Sequence, residues 1–126
     1  MTRNNAQLTD EQQAVWEKLQ LTRIELENRV EWHNGKGERH RLYGPAVEWY
    51  DGTKWWFLND KRHRLYGPAV ECGNGYKEWY VNGKRHRIDG PAIVYANGDK
   101  AWWVNGQHLT KEEFNALYQQ HHNEYQ

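Results

Sequence analysis

The stretch Arg-His-Arg-Leu-Tyr-Gly-Pro-Ala-Val-Glu at residues 39–48 decides the fold, because the chain repeats it. It returns with every residue identical at 62–71, and as Arg-His-Arg-Ile-Asp-Gly-Pro-Ala-Ile at 85–93. The copies begin at residues 39, 62 and 85, so the period is 23 residues without gaps. A fixed period of this kind is the sequence signature of a repeat architecture. We predict three full units, preceded by a divergent unit that begins near Ile24.

Each full unit contains an Asx-Gly pair in the sequence between two stretches of alternating apolar residues. The pairs are Asp51-Gly52, Asn74-Gly75 and Asn97-Gly98. Such a pair is the strongest short-range signal for a β-hairpin, because its turn needs residues that tolerate a positive φ. We therefore expect each unit to form one antiparallel hairpin, closed by a two-residue turn that places Val47 opposite Trp56.

This register also predicts which side chains share a face of the sheet. One face carries Val47, Trp49, Trp56 and Leu58, and the equivalent positions of the next units are also apolar, so we predict that it is buried. The opposite face mixes acidic side chains with large rings, and we predict that it is open. Its rings are Trp55, Phe57, Tyr80 and Trp103.

Two different patterns flank the repeats. Thr9-Asp10-Glu11-Gln12 is a capping box that predicts a helix over 9–20, and Thr110-Lys111-Glu112-Glu113 predicts a second helix over 110–122. The end units of a repeat sheet need a cover over their exposed strand edges. We predict one mainly β domain over 1–126, in which antiparallel hairpin repeats over 22–108 lie between two short capping helices.

The unit resembles the MORN repeat. The resemblance covers Arg23 to His108 and is clearest over 79–100, in the form Trp-x-x-Asn-Gly-Lys-Arg-His-x-x-x-Gly-x-Ala-x-x-Tyr-x-Asn-Gly-Asp-Lys. Gly-Pro-Ala stands where Gly-x-Gly is usual, so the unit is most similar to the MORN-like repeats of bacterial and phage proteins, some of which are described as antitoxin components. The resemblance implies a twisted antiparallel sheet that binds proteins, with phospholipid binding also proposed, and no catalytic residues.

Composition limits the classes of function. The 17 basic and 17 acidic residues cancel, so no net charge draws the chain to nucleic acid or to an anionic membrane. No apolar run approaches the about 20 residues that cross a bilayer, and residues 1–13 are polar where a secretion signal would be apolar. We expect a protein that is not transmembrane and is cytoplasmic, in the host cytoplasm if a phage encodes it. The single cysteine, Cys72, excludes an intrachain disulfide.

The repeated histidines and carboxylates do not predict a catalytic or metal site. Equivalent residues of neighbouring hairpins lie two strands apart, about 9–10 Å, whereas zinc ligands lie about 2 Å from the metal. One ion therefore cannot use His40, His63 and His86 together, and Glu48 and Glu71 are too far apart to share a proton. We predict no enzyme activity, no metal and no cofactor.

The predicted function is non-catalytic recognition of another protein. The chain would act as a small inhibitor, immunity or counter-defence protein of a bacterium or phage, as a monomer or a closed dimer that blocks its partner sterically. Aromatic and arginine side chains are the usual anchors of such interfaces. The candidate residues are Trp55, Phe57, Tyr80 and Trp103 on the open face, with Arg41, Arg64 and Arg87 at its edge.

The Arg-His-Arg rows leave two interpretations open. They could hold the phosphates of a nucleic acid or of an anionic phospholipid, which is the alternative function. In the second interpretation they are structural: each arginine stacks on a neighbouring tryptophan and each histidine donates to a carbonyl of the Gly-Pro turn. These contacts would lock one hairpin to the next.

Overall fold

A computed structural model describes residues 7–123, and it confirms a mainly β fold with a helix at each end. Helix α1 spans Asp10–Gln20 and helix α2 spans Lys111–Asn123. Thr9 caps α1 through a reciprocal capping box with Gln12, as the sequence predicts. The strands of the described residues are β1 (Thr22–Glu25), β2 (Arg29–His33), β3 (Val47–Trp49), β4 (Lys54–Trp55), β5 (Phe57–Leu58), β6 (Lys61–Arg62), β7 (Val70–Glu71), β8 (Lys77–Glu78), β9 (Tyr80–Val81), β10 (Lys84–Arg85), β11 (Ile93–Val94), β12 (Lys100–Val104) and β13 (Gln107–Leu109).

Most strands belong to one antiparallel sheet with the order β1-β2-β3-β4-β7-β8-β11-β12-β13. Two small hairpins, β5-β6 and β9-β10, lie outside that order. Each unit therefore has two turns, and the expectation of one hairpin per unit is wrong. The second turns are Asn59-Asp60, Asn82-Gly83 and Asn105-Gly106, in which both residues have a positive φ. This is the backbone conformation of a tight two-residue hairpin.

The first turn of each unit is one residue longer than predicted. In the β3-β4 hairpin Val47 pairs with Trp55, and the Trp49 N–H donates to the carbonyl of Thr53. Three residues remain in the loop, and the last of them, Gly52, has a φ of 96°. A glycine in this left-handed region closes a three-residue loop. Because side chains alternate along a strand, the extra residue moves every side chain of the second strand to the opposite face.

The predicted faces are therefore wrong for the second strand of each hairpin. Trp55 lies on the face of Val47, and Trp56 lies on the other face. Phe57 is 6% exposed and Tyr80 is 8% exposed, so both belong to the core and not to an open face. Trp103, the next ring of that column, is half-buried. The column that we predicted to be core is also only half-buried: Trp56, Trp79 and Trp102.

The core is a thin row that crosses the sheet. Each unit contributes an alanine followed by a β-branched residue, and all of these are buried: Ala46, Val47, Ala69, Val70, Ala92 and Ile93. Phe57 packs in the cluster of the first unit, and Tyr80 packs in that of the second. So small a core per unit leaves much of the stability of a repeat protein to contacts between neighbouring units.

Two carboxylates, Glu31 and Glu78, are buried on this core face. Glu31 accepts hydrogen bonds from Arg29 at 2.6 Å and from His33 at 2.9 Å, and it lies 3.2 Å from the Arg39 guanidinium. Burial raises its pKa, but these hydrogen bonds and the charge of Arg39 outweigh burial, so the pKa of Glu31 is lowered to about 2. The ionised carboxylate therefore stabilises the first units.

The core assignment predicts that Phe57→Ala lowers the free energy of unfolding by about 3–5 kcal/mol, because it leaves a cavity in the first unit. The matched control is Tyr50→Ala, an aromatic truncation at an exposed hairpin tip, which we expect to change it by less than about 1 kcal/mol. Chemical denaturation measures both. Equal losses would show that Phe57 is not in the core.

Glu31 predicts a defined pH dependence of stability. Its pKa in the folded chain lies below the ordinary value of 4.5. Its contribution to the free energy of unfolding is therefore complete above pH 4.5 and is lost as the pH falls towards 2. Glu31→Gln should lower the free energy of unfolding by about 2–4 kcal/mol at pH 7, and the difference from the parent chain should shrink at acidic pH. Denaturation at pH 7, 4 and 3 measures this. A constant difference would contradict the assignment.

Candidate functional site

In each full unit the residues from the Arg-His-Arg row to the Gly-Pro turn form a connector, which spans 39–45, 62–68 or 85–91. The second arginine of the row fixes the position of the connector. The guanidinium of that arginine lies over the ring of a tryptophan that precedes it in the chain. The distances from Cζ to the ring centroid are 3.9 Å for Arg41 on Trp32, 3.8 Å for Arg64 on Trp56 and 3.9 Å for Arg87 on Trp79. The same guanidinium donates to the carbonyl of Pro45, Pro68 or Pro91 at 3.0–3.3 Å. The stacking part of the structural interpretation is thus confirmed.

The glycine of the Gly-Pro turn makes room for this guanidinium. A Cβ on Gly67 would lie 2.8 Å from the Cζ of Arg64, and one on Gly90 would lie 2.8 Å from the Cζ of Arg87. A side chain at either position would require the guanidinium to shift. The Arg, Trp and Gly of the repeat are therefore three parts of one packing unit.

The second arginine of each row also lies beside an acidic side chain. Arg41 lies 3.6 Å from Glu48, Arg64 lies 3.1 Å from Glu71, and Arg87 lies 2.8 Å from Asp89. Each guanidinium thus has a ring, a carbonyl and a carboxylate of its own chain around it. The geometry gives the phosphate-binding alternative no support.

The first arginine of each row lies on the core face instead. Arg62 has its Cζ 5.0 Å from the ring of Trp55 and 5.6 Å from that of Tyr80. Arg85 lies 5.0 Å from the ring of Trp103 and donates to Glu78 at 3.1 Å. These arginines are interleaved with the ring column that we predicted to be open, so the column is covered by the chain itself.

The histidine between the two arginines joins its connector to the second turn of the same unit. Its Nδ1 accepts a hydrogen bond from the backbone N–H of the asparagine that begins the second turn, 19 residues further along the chain. The pairs are His40 with Asn59 at 3.0 Å, His63 with Asn82 at 2.9 Å and His86 with Asn105 at 3.0 Å. The prediction that the histidines donate to Gly-Pro carbonyls is therefore wrong. Because Nδ1 accepts, the neutral ring carries its proton on Nε2.

Immediately after each row, large apolar side chains point away from the sheet into solvent. Tyr66 is 92% exposed and Leu65 is 65% exposed. We call the full set the Leu-Tyr ridge: Leu42, Tyr43, Leu65, Tyr66 and Ile88. Contiguous exposed apolar side chains on a folded domain mark interaction sites. The sequence signal that we missed was the Leu-Tyr pair itself, which lies outside the alternating strands and so has no core to enter.

A groove of about 600 Å³ separates the connectors of the first two full units. Leu42, Tyr43, Leu65 and Tyr66 of the ridge line it, and the remaining lining residues are Arg41, Gly44, Trp56, Leu58, His63 and Arg64. Of the sequence-predicted candidates, this groove brings together Arg41 and Arg64, and Arg87 takes the equivalent place in the third unit. It does not include Trp55, Phe57, Tyr80 or Trp103.

Helix α1 covers part of the first connector. Glu17 is buried there, with Oε1 2.8 Å from Nε2 of His40 and Oε2 accepting from the Leu42 N–H at 2.9 Å. The carboxylate therefore bridges the histidine of the row and the first residue of the ridge.

No family model, curated protein or solved structure matches this chain. Within residues 7–123, neither helix is long and apolar enough to cross a membrane. The same described residues contain no group of three or more His, Cys, Asp or Glu side chains that could hold a metal ion.

The packing unit predicts that Gly90→Ala and Arg87→Ala are coupled. Gly90→Ala alone should lower the free energy of unfolding by about 1–2 kcal/mol, because the new Cβ displaces the guanidinium from Trp79. In the Arg87→Ala background the same change should cost about 0.5 kcal/mol or less.

A double-mutant cycle from denaturation curves measures this coupling. The control is Gly35→Ala, where a Cβ would meet nothing within 4 Å. Additive effects of Gly90→Ala and Arg87→Ala would show that the glycine serves another purpose.

Proposed function

We propose that this protein is a non-catalytic binding module that holds another protein on the Leu-Tyr ridge and blocks it sterically. The observation that carries the proposal is the exposure of Leu65 and Tyr66. They lie on a connector that the Arg64 stack on Trp56 and the His63 hydrogen bond to Asn82 hold in place. The resemblance to MORN-like repeats of bacterial and phage proteins favours a small cytoplasmic inhibitor, immunity or counter-defence protein.

The bracing of the connectors favours binding because it lowers the entropy cost of association. The His63 bond to Asn82 and the Arg64 stack on Trp56 hold the backbone before Leu65, and the hydrogen bond from Arg64 to the Pro68 carbonyl holds it after Tyr66. A partner would therefore order few main-chain torsions when it binds, and this saving increases affinity.

The size of the ridge fits a protein partner. An aromatic side chain buries about 150–250 Å², and a stable interface buries about 800 Å² on each side. Tyr43 and Tyr66 with their aliphatic neighbours supply a large part of that area, and tyrosine is enriched among the residues that dominate binding energy. The groove between them gives a partner side chain a place to insert.

The core face is a poorer candidate for the interface than the sequence suggested. Phe57 and Tyr80 are almost completely buried, and Arg62 lies over both rings. A partner could reach them only by displacing these contacts. The interface therefore lies on the ridge and not on the predicted aromatic column, and Arg64 supports it at its edge.

We expect Leu65→Ala and Tyr66→Ala to abolish partner binding without changing stability by more than about 1 kcal/mol, since both side chains are exposed. Tagged parent and variant chains would be used to capture proteins from cells of the natural source, with quantification by mass spectrometry. The matched control is Tyr50→Ala, an exposed tyrosine away from the ridge. A partner captured equally by the Tyr66→Ala variant would contradict the proposed surface.

A further inference from the structure

The docking of α1 on the first connector provides an internal template for recognition. The two oxygens of Glu17 meet two donors, Nε2 of His40 and the backbone N–H of Leu42. Beside this carboxylate, residues of α1 line a pocket together with Leu42 and Leu58. The first connector therefore binds a helix through one buried glutamate with apolar surroundings.

The second connector has the same donors in the same sequence. His63 is held as His40 is, with Nδ1 accepting from the next turn at 2.9 Å, so its neutral ring also carries the proton on Nε2. Leu65 stands where Leu42 does. Among the described side chains and the backbone of residues 7–123, neither Nε2 of His63 nor the N–H of Leu65 donates a hydrogen bond. Both residues line the open groove beside Trp56 and Leu58.

We propose that the second connector is a socket for a helix of a partner protein that carries a glutamate beside apolar side chains. The partner glutamate accepts from Nε2 of His63 and from the N–H of Leu65, as Glu17 accepts from the first connector. This inference rests on the proposed function and names the chemistry of its partner. The third connector repeats the donors at His86 and Ile88.

The donor arrangement selects a carboxylate over an amide. Both oxygens of an ionised glutamate accept hydrogen bonds, whereas a glutamine side chain has one acceptor oxygen and turns its NH₂ group towards the second donor. The apolar lining of the groove selects a helix with apolar neighbours of the glutamate over a free anion. In this lining a hydrogen bond to a charged group is stronger than it is in water.

The test uses the intact chain labelled with ¹⁵N and, as the probe, a synthetic peptide with the sequence of residues 7–21. We expect the peptide at millimolar concentration to shift the amide signal of Leu65 while that of Leu42 stays unchanged, since α1 already covers the first connector. A peptide with Glu17→Gln should bind at least about tenfold more weakly. A peptide with Glu11→Gln, which loses the same charge at a position that does not contact the connector, should bind like the parent peptide.

Equal binding of the parent and Glu17→Gln peptides would overturn the socket, as would the absence of any shift at Leu65. This outcome is separate from failure of the proposed function. Loss of a captured partner on Tyr66→Ala would still support the ridge as an interface if the peptide failed to bind. Conversely, selective peptide binding would support the socket even if the captured proteins did not depend on Tyr66.

Discussion

The stacking of an arginine over a tryptophan that precedes it in the chain is the contact on which each unit depends. The Arg64 guanidinium is 3.8 Å from the Trp56 ring and also reaches the Pro68 carbonyl and Glu71. It attaches the irregular connector to Trp56, which lies between β4 and β5. Gly67 leaves the space that the guanidinium occupies. Arg64 packs against Trp56, whereas the neighbouring Leu65 and Tyr66 of the ridge are exposed to solvent.

Local motifs were sufficient to predict the fold class. The capping boxes at Thr9 and Thr110 predict the helices because their hydrogen bonds span only three residues. The register could not be predicted in the same way, since Asp51-Gly52 fits either a two-residue or a three-residue loop. That single residue decides whether Trp55 or Trp56 faces the core. A one-residue error in loop length thus exchanged the core-facing and solvent-facing positions of the second strand of each hairpin.

The candidate site was predictable only in part. Stacking of Arg64 on a tryptophan follows from residue types and their recurrence, and the structure has that contact. The histidine bond could not be foreseen, because the N–H of Asn82 becomes an available donor only after the second turn has formed. Leu65 and Tyr66 lie outside the alternating stretches, so the strand pattern assigns them to neither face. Their exposure depends on where the connector runs, which no local pattern of the sequence specifies.

The likeness of successive connectors means that the number of units sets the valence of the surface. The first two full units share ten consecutive identical residues, 39–48 and 62–71, and each connector contacts the turn of the following hairpin in the same way. Repeat proteins of this kind accept an added unit without loss of their existing interfaces. Duplication of 23 residues would add another copy of the surface about 9–10 Å further along the sheet. Lengthening the array would therefore raise avidity for a repetitive ligand through effective concentration, with no change in any individual contact.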